Sequence, residues 1–411
     1  MSTDDGLVSS WVPGAAGSLH DADHLPYAVA AGEPGVDPRA GHVLSRVGDL
    51  VVDLAAAARA TGRAEWGGLL EAGSLNPLMA AGPPVWAEVR AWLTGLVTDP
   101  CHEGTLDLVP VGDVPLRLPF EVADYVDFYA SEHHATNVGR ILRPDGEALA
   151  PNWKHLPVGY HGRAGSVVVS GTPVRRPSGQ RRSRDGAPVL GPTRRLDLES
   201  ELGFVVGRAV PGGRVRTDEL ASTVFGVVGL NDWSARDIQA WEYVPLGPHL
   251  GKSFATTIAA WVTPLAALER AWVPLPGQDP PVLPYLEVDD PAGLDVEVEV
   301  EVAGEVVART PYAAMYWSPA QLLAHLTVNG APLRVGDLLG SGTISGPGRD
   351  QRGSLLELSW GGREPWSAGG RERTFLEDGD EVVLRPTAPG VLGRIGLGEV
   401  RGTVLPAEDP S

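Results

Sequence analysis

The spacing of hydrophobic positions changes near Pro119, and this change divides the chain into two parts. Before it, short β-like runs such as HVLSRVGDLVVDL are mixed with helical segments. After it, short runs rich in β-branched residues, such as SVVVSG and DEVVLRP, are separated by Gly- and Pro-rich turns. The pattern predicts a small N-terminal domain over residues 1–119 and a larger, mostly β domain over residues 120–411.

One segment of the first part has the periodicity of an amphipathic helix. The stretch PPVWAEVRAWLTGLV repeats its apolar residues every four positions, which places them on one helical face. These positions are Val85, Val89, Leu93 and Val97.

Two segments of the second part predict exposed structure. LDVEVEVEVAGEVV alternates strictly, which is typical of an antiparallel strand with one solvated face carrying the glutamates. PSGQRRSRDGAPVLGPTRR, residues 177–195, is polar, basic and rich in turn residues. No aromatic residues lie between its arginines, so we expect a solvated loop over the surface rather than a nucleic-acid patch.

Composition narrows the class of protein. The 411 residues include 52 Gly and 37 Pro, and the net charge of −19 argues against a nucleic-acid partner. Cys101 is the only cysteine, which rules out an internal disulfide and a zinc thiolate cluster and suits a reducing compartment. Neither a signal peptide nor a membrane-spanning run is recognisable, so we expect a cytoplasmic protein without a membrane partner.

Four carboxylates stand in apolar or structured settings. Glu199 and Glu201 are two residues apart in LDLESELGFVVG, so in a strand they point to the same side. Asp127 follows DYV, and Asp232 follows the apolar run VFGVVGL. Like charges at a buried edge repel unless a cation lies between them, and Ca²⁺ and Mg²⁺ both take carboxylate oxygens. The alternative is an exposed strand face, as in EVEVEV, and the spacing alone leaves both interpretations open.

The segment NDWSARDIQAWEY predicts a polar helical stripe. If WSARDIQAWEY is helical, Asp232, Arg236, Gln239 and Tyr243 follow one another at helical intervals. Guanidinium and amide groups on such a stripe suit the stabilisation of negative charge on a substrate oxygen. A solvent-exposed face with a local Asp232–Arg236 pair is the equally acceptable alternative.

The following GPHLGKSF does not form a nucleotide-binding loop. A phosphate-binding G-x-x-x-x-G-K-[ST] motif requires a glycine where the chain has Leu246, since Gly247 comes one residue too late. Lys252 follows a Gly- and Pro-rich turn and could point into a cleft, but a surface lysine is the default expectation.

Taken together, these segments resemble the fumarylacetoacetase (fumarylacetoacetate hydrolase) family. The resemblance covers nearly the whole chain, from HLPYAV and SLNPLM near the start to GTISGP and SLLELSW. Its most specific part is NDWSARDIQAWEYVPLGPHLGKSFATT, and DFYASEHHATNVG, PNWKHLPVGYHGRAGSVVVSGTP and LDLESELGFVVG also match.

The resemblance implies a fold and an activity. The fold would be mainly β (α+β), with a small N-terminal SH3-like barrel domain followed by a large mixed β-roll catalytic domain, assembled as a homodimer. The activity would be metal-dependent hydrolysis of a carbon–carbon bond in fumarylacetoacetate, a diketo acid of tyrosine and phenylalanine catabolism. There are two competing hypotheses. The first is a related enzyme that acts on another acylpyruvate, and the second is a non-catalytic calcium-binding protein with the same fold.

The resemblance also implies roles for individual residues. The calcium ligands would be Asp127, Glu199, Glu201 and Asp232, and a magnesium ion would lie near Asp232, Lys252 and Thr256. The catalytic groups would be the general base His134, its orienting partner Glu357, and the oxyanion donors Arg236, Gln239 and Lys252. The substrate contacts would be Tyr129, Arg143, Tyr160, Gln239, Tyr243 and Thr343, where Arg143 suits a substrate carboxylate.

The adjacent histidines in DFYASEHHATN give conflicting predictions. If the run were extended throughout, His133 would share the side of Asp127 and Tyr129. The resemblance instead selects His134. Because YASEHH is more typical of a turn or break than of a strand, we follow the resemblance.

Overall fold

The structure is a computed structural model that describes residues 6–33, 35–183 and 185–408. Its strands, in chain order, are β1 (Tyr27–Val29), β2 (Val43–Val47), β3 (Leu50–Asp53), β4 (Leu108–Pro110), β5 (Tyr125–Phe128), β6 (Gly159–His161), β7 (Val167–Val169), β8 (Val174–Arg175), β9 (Ser178–Arg182), β10 (Pro188–Pro192), β11 (Leu196–Asp197), β12 (Ser200–Val206), β13 (Val224–Asp232), β14 (Ser234–Ala235), β15 (Thr256–Ile258), β16 (Thr263–Pro264), β17 (Trp272–Val273), β18 (Gly293–Leu294), β19 (Glu297–Val302), β20 (Glu305–Pro311), β21 (Leu338–Gly340), β22 (Trp366–Ala368), β23 (Arg371–Arg373), β24 (Glu381–Pro389), β25 (Arg394–Gly396) and β26 (Val400–Leu405). Its α-helices are α1 (Leu54–Ala60), α2 (Gly67–Leu70), α3 (Asn76–Ala80), α4 (Pro83–Thr98), α5 (Glu132–Leu142), α6 (Leu220–Thr223), α7 (Arg236–Glu242), α8 (Pro319–Thr327) and α9 (Leu355–Leu358).

The N-terminal part is an antiparallel sheet in the order β1-β2-β3-β4, with α1 to α4 inserted between β3 and β4. The predicted amphipathic helix is confirmed as α4, which starts on two prolines and buries Val89, Leu93 and Val97. Tyr27 exchanges two backbone hydrogen bonds with Val262, at 2.9 and 2.7 Å, so this part packs directly on the second. The boundary at residue 119 and the SH3-like class of this part stay predictions.

The second part is built on two large sheets, which confirms the strand-rich α+β prediction. The first is mixed, in the order β6-β5-β21-β12-β13-β15-β7, with β16 beside β13. The second follows the order β20-β19-β24-β26-β8, with β25 beside β24. At Gly229 of β13, an added Cβ would lie 2.9 Å from Val400 of β26, so glycine lets the two sheets approach closely.

The alternating EVEVEV run is β19, paired on both sides, with its valines buried. The glutamates of its outer face are not simply solvated, because Glu299 pairs with Arg309 at 2.8 Å and Glu301 with Arg385 at 2.7 Å. A half-exposed antiparallel strand is therefore confirmed, and its outer face is an ion-pair surface.

The described residues of 177–195 are mostly exposed or half-buried, as predicted, but they form a hairpin rather than a loop. The segment contains the hairpin β9–β10, and β9 packs on α7, where a Cβ on Gly179 would lie 2.8 Å from Ile238 Cδ1. Arg182 lies over the ring of Trp241, 4.9 Å from its centroid. The basic residues thus contribute to a structural contact rather than to a free surface loop.

The proposed helical stripe that begins at Asp232 is wrong in part. Asp232 is the last residue of β13, and α7 begins only at Arg236. The intervening chain stays extended because β14 pairs with β11 and because Trp233 is buried with its Nε1 donating to Thr257 at 2.9 Å. Arg236 and Gln239 alone share the helix, and Tyr243 is its C-terminal cap.

None of the helices in the described ranges combines the length and apolar character that crossing a bilayer requires.

Two helical glycines provide a stability test. At Gly139 in α5, a Cβ would lie 1.8 Å from the carbonyl oxygen of Ala148, so Gly139→Ala forces backbone movement. We expect a loss of about 1–3 kcal/mol of unfolding free energy, measured by urea denaturation. Gly95 in α4 has open space at its Cβ, so Gly95→Ala should gain about 0.5–1 kcal/mol. Equal effects of the two substitutions would contradict the close packing of α5.

Candidate active site and metal centre

Four carboxylates from three strand ends converge in the interior. Asp127 lies on β5, Glu201 on β12 and Asp232 at the end of β13, while Glu199 precedes β12 and bridges to Ser354. One oxygen of each residue lies within 4.8 Å of those of the others, and all four side chains are buried. Glu199 and Glu201 do project together, and the interpretation as an exposed strand face is wrong.

A glycine makes this convergence possible. β21 runs between β5 and β12, and Gly340 stands opposite both Asp127 and Gly203. A Cβ on Gly340 would lie 2.5 Å from Asp127 Oδ1 and 3.2 Å from Glu201 Oε2. The backbone N–H of Gly342 donates to the same two oxygens, at 3.2 and 3.1 Å. The strand between the carboxylates therefore supplies space and one shared donor.

Two basic side chains neutralise one half of this cluster. Lys252 Nζ donates to Asp232 at 2.6 Å and also to Glu199. Arg236 donates to Glu199 and to Asp197, each at 2.7 Å. Lys252 is 6% exposed, so the expectation of a surface lysine is wrong.

The other half of the cluster has no such partners. Across the described residues, no basic side chain forms an ion pair with Asp127 or Glu201. Burial and the neighbouring carboxylates raise the pKa of both groups well above their ordinary values. Glu199 differs, because Arg236 and Lys252 outweigh its burial and hold its pKa well below the ordinary value.

This donor set fits a divalent cation. Glu201 Oε1 is buried without any hydrogen-bond partner among the described residues, which is costly for a carboxylate oxygen. Hard cations such as Ca²⁺ and Mg²⁺ are held by several carboxylate oxygens of this kind. The geometry therefore supports a site for a hard divalent cation.

A histidine–carboxylate pair lies against the cluster. β5 ends at Phe128, and α5 begins at Glu132 because Ser131 caps it by accepting from His134 N at 3.2 Å. The chain is therefore not extended through YASEHH, and strand alternation does not reach the histidines. His134 is buried, whereas His133 is half exposed.

The hydrogen bonds of Glu357 define the orientation of His134. Glu357 Oε2 lies 2.6 Å from His134 Nδ1 and accepts from Ser345 and Ser354, while Oε1 accepts from Asn137. Burial alone would raise the pKa of Glu357, but His134 and these hydrogen bonds lower it overall. The ionised carboxylate accepts a hydrogen bond from Nδ1–H, which leaves Nε2 as an acceptor 3.7 Å from Glu199 Oε1.

Several predicted substrate contacts lie around this pair. The Tyr129 ring meets the His134 ring edge-on at 5.2 Å, and Tyr160 donates to Asp232 at 2.8 Å. Gln239 Oε1 accepts from Arg236 at 3.2 Å. Thr343 is buried beside Gly342. Tyr160 thus contacts the carboxylates directly, and Gln239 and Tyr129 are linked to them through Arg236 and His134.

Two of the predicted substrate-contact residues lie further from the carboxylate cluster. Arg143 is exposed at the C-terminal end of α5, where its Nη2 donates to Ala148 O at 2.9 Å. Tyr243 is 37% exposed at the end of α7. Within the described residues neither side chain hydrogen-bonds to the carboxylate cluster, so they can form only the outer edge of the site.

The residues predicted for a second ion also lie together. Thr256 donates to Asp232 Oδ1 at 3.3 Å, and Lys252 contacts the other oxygen of the same carboxylate. All three residues line a cavity of about 200 Å³ that also exposes Tyr160 and His249. Asp232 is its single acidic lining group, so a magnesium site here stays a prediction.

Sequence reasoning missed several groups of this network. Asp197 shares the strand side of Glu199 and Glu201, since the three acids follow one another at intervals of two, and this parity was a usable signal. Asn137 is three residues after His134, on the same helical face. Ser345 and the Gly342 N–H carry no such signal, because tertiary structure alone brings them to the site.

Comparison with known proteins assigns the family. Residues 124–405 match the model described as Fumarylacetoacetate (FAA) hydrolase C-terminal, and residues 23–119 match that described as Fumarylacetoacetase N-terminal. The chain belongs to the fumarylacetoacetate hydrolase family.

Curated members of this family align with the chain over most of its length. Fumarylacetoacetase of Homo sapiens is 44% identical over 98% of this chain and 100% of its own. That of Caenorhabditis elegans is 48% identical over 82% and 84%, and that of Arabidopsis thaliana is 41% identical over 98% and 99%.

Solved structures share the fold at lower identity. A fumarylacetoacetate hydrolase from Exiguobacterium antarcticum matches with a TM-score of 0.55 and 16% identity, over 93% of this chain and 100% of that one. A maleylpyruvate hydrolase from a Sphingobium species matches with a TM-score of 0.53 and 15% identity, over 93% and 100%.

Substitution of one carboxylate of the cluster should weaken metal binding specifically. Glu201→Gln removes one charge and one anionic oxygen from the centre, so we expect Ca²⁺ affinity to fall at least about 10-fold, by calorimetric titration of metal-free protein. Glu299→Gln removes the same charge from the outer face of β19 and should leave the affinity unchanged. An equal loss in both variants would show that overall charge, not this site, binds the ion.

Proposed function

We propose that this chain hydrolyses the carbon–carbon bond of fumarylacetoacetate, giving fumarate and acetoacetate in the last step of tyrosine and phenylalanine catabolism. The observation that carries the proposal is the His134–Glu357 pair facing a buried cluster of four carboxylates. The 44% identity to human fumarylacetoacetase over nearly the whole chain supports the choice of substrate.

The chemistry requires an activated water and a stabilised leaving group. His134 Nε2 accepts a proton from water, whose oxygen adds to the ketone carbonyl, while Glu357 holds the resulting imidazolium. The bond between the two halves then breaks, and its electron pair stays with the acetoacetate half as an enolate. This enolate takes the proton back from His134, so atoms and charge balance.

The remaining residues orient substrate and hold charge. The divalent cation, with Asp127, Glu199, Glu201 and Asp232 as its ligands, would supply positive charge for the diketo oxygens. Arg236, Gln239 and Lys252 would donate hydrogen bonds to the alkoxide that water addition creates. Tyr129, Tyr160, Tyr243 and Thr343 would line the substrate, and Arg143 would bind a substrate carboxylate.

The choice of ions, assembly and location belongs to the same proposal. Calcium would be the ion of the four-carboxylate centre, and magnesium would lie near Asp232, Lys252 and Thr256. The protein would act as a cytoplasmic homodimer, as the family resemblance implies. Metal analysis of the purified protein and light scattering test these points directly.

Removal of the base tests the proposed reaction. His134→Ala should lower kcat for fumarylacetoacetate by about 10²–10⁴-fold, measured by the loss of diketone absorbance. His133→Ala, next to it on the half-exposed side of α5, should retain nearly full activity. Chelation of the metal should abolish turnover, and added Ca²⁺ should restore it.

Three results would contradict the proposed reaction. If His133→Ala were the inactive variant, the base would be misassigned. Unchanged turnover after complete metal removal would exclude the metal-dependent mechanism. Rapid hydrolysis of simple acylpyruvates with no turnover of fumarylacetoacetate would place the chain with another member of its family.

The carboxylate anchor is tested at the outer edge of the site. Arg143→Gln removes a charged hydrogen-bond donor, so kcat/KM should fall by about 10–10²-fold, mainly through a higher KM. Arg140→Gln removes a neighbouring exposed arginine of α5 and serves as the control. A loss confined to kcat, or an equal loss in the control, would contradict the anchoring role.

A further inference from the structure

We propose that Asp197 is a positioning residue that locks the arginine of the active site to the helix that carries Glu357. This inference rests on the proposed function, because it concerns the geometry of the groups assigned there.

Asp197 is fully buried and accepts four hydrogen bonds, from α7, from α9 and from the backbone of the next residue. Its Oδ2 accepts from Arg236 Nε at 2.7 Å and from Leu356 N at 3.0 Å. Its Oδ1 accepts from Leu355 N at 2.7 Å and from Leu198 N at 2.9 Å. One carboxylate thus ties β11, the first turn of α9 and the first residue of α7 together.

The contact with α9 bears directly on the base. α9 spans only Leu355–Leu358, and its third residue is Glu357. Two of the unpaired N–H groups at the start of this short helix are satisfied by Asp197. A displacement of this turn would therefore displace the carboxylate that orients His134.

The contact with Arg236 bears on the other side of the site. Arg236 uses Nε for Asp197, Nη2 for Glu199 and Nη1 for Gln239. Because Asp197 holds Nε, the two terminal nitrogens of the guanidinium group stay directed at Glu199 and Gln239. These contacts form a closed ring. Asp197 binds Arg236, which binds Glu199, and Glu199 lies 3.7 Å from His134 Nε2. His134 binds Glu357 of α9, the helix that Asp197 also holds.

The Asp197 carboxylate therefore acts by holding other groups in position. Asp197 accepts no hydrogen bond from Lys252 and is not among the four converging metal-ligand candidates. Removing its charge would loosen both the base and the arginine while leaving the metal ligands in place. Misplacement of this kind, by about 1 Å, typically costs about 10²-fold in turnover.

The test compares Asp197→Asn with a matched control. Asp380 is also a buried aspartate that accepts from an arginine, Arg373, and from a backbone N–H, that of Glu377, but it lies directly before β24 of the second large sheet. We expect Asp197→Asn to lower kcat by about 10²-fold with KM and Ca²⁺ stoichiometry close to wild type. Asp380→Asn should lower thermal stability and leave kcat per folded molecule unchanged.

A second measurement does not depend on activity. The proton that His134 Nδ1 shares with Glu357 gives a proton NMR signal that is assigned by its absence in His134→Ala. This signal should shift or broaden in Asp197→Asn and stay unchanged in Asp380→Asn. If Asp197→Asn does not fold, Asp197→Glu moves the carboxylate by one methylene and should give the same two effects.

Each outcome decides a distinct question. A wild-type kcat in the Asp197 variant, or an unchanged His134 signal, would overturn the positioning role. Loss of stability and kcat in equal measure in both aspartate variants would reduce Asp197 to a structural residue. A wild-type protein that does not turn over fumarylacetoacetate would defeat the proposed function, and the NMR comparison would still decide the role of Asp197.

Discussion

The organisation of the site depends on the cost of burying four carboxylates within 4.8 Å of one another. Charges this close cannot all stay ionised in a low-dielectric interior without compensation. The chain provides partial compensation with Lys252 and Arg236 on the Glu199 and Asp232 side, and no basic side chain in the described part of the chain pairs with Asp127 or Glu201. This asymmetry gives the cluster one side fixed by protein groups and one side suited to a divalent cation.

Catalytic groups are arranged around this asymmetry. Glu199 receives Arg236 and Lys252 and also lies against Nε2 of His134, so it belongs to both the metal cluster and the acid–base apparatus. Behind His134, Glu357 is held by two serines and an asparagine. Charge neutralisation and proton transfer therefore meet at Glu199 in one connected network.

The sequence predicted strands, the long helix and the four carboxylates because each depends on local periodicity or on a recognisable motif. It failed where tertiary structure overrode local pattern. Local pattern alone favoured a surface position for Lys252, whereas the family resemblance placed it in the site, where two carboxylates hold it in the interior. Asp232 was placed on a helix, but pairing of β14 with β11 keeps the chain extended until Arg236. Ser345 and the N–H of Gly342 could not be predicted, since only the packed strands bring them to the site.

Gly340 has a consequence for how sequence variation in this chain is interpreted. It carries no functional group, yet any larger residue there would enter the space shared by Asp127 and Glu201. A missense change at this position would disturb the carboxylate cluster. By its residue type, however, it would look like a substitution in any other strand. Variant surveys that weight only charged and nucleophilic residues would overlook it, although two carboxylates of the candidate metal site fill the space beside its Cα.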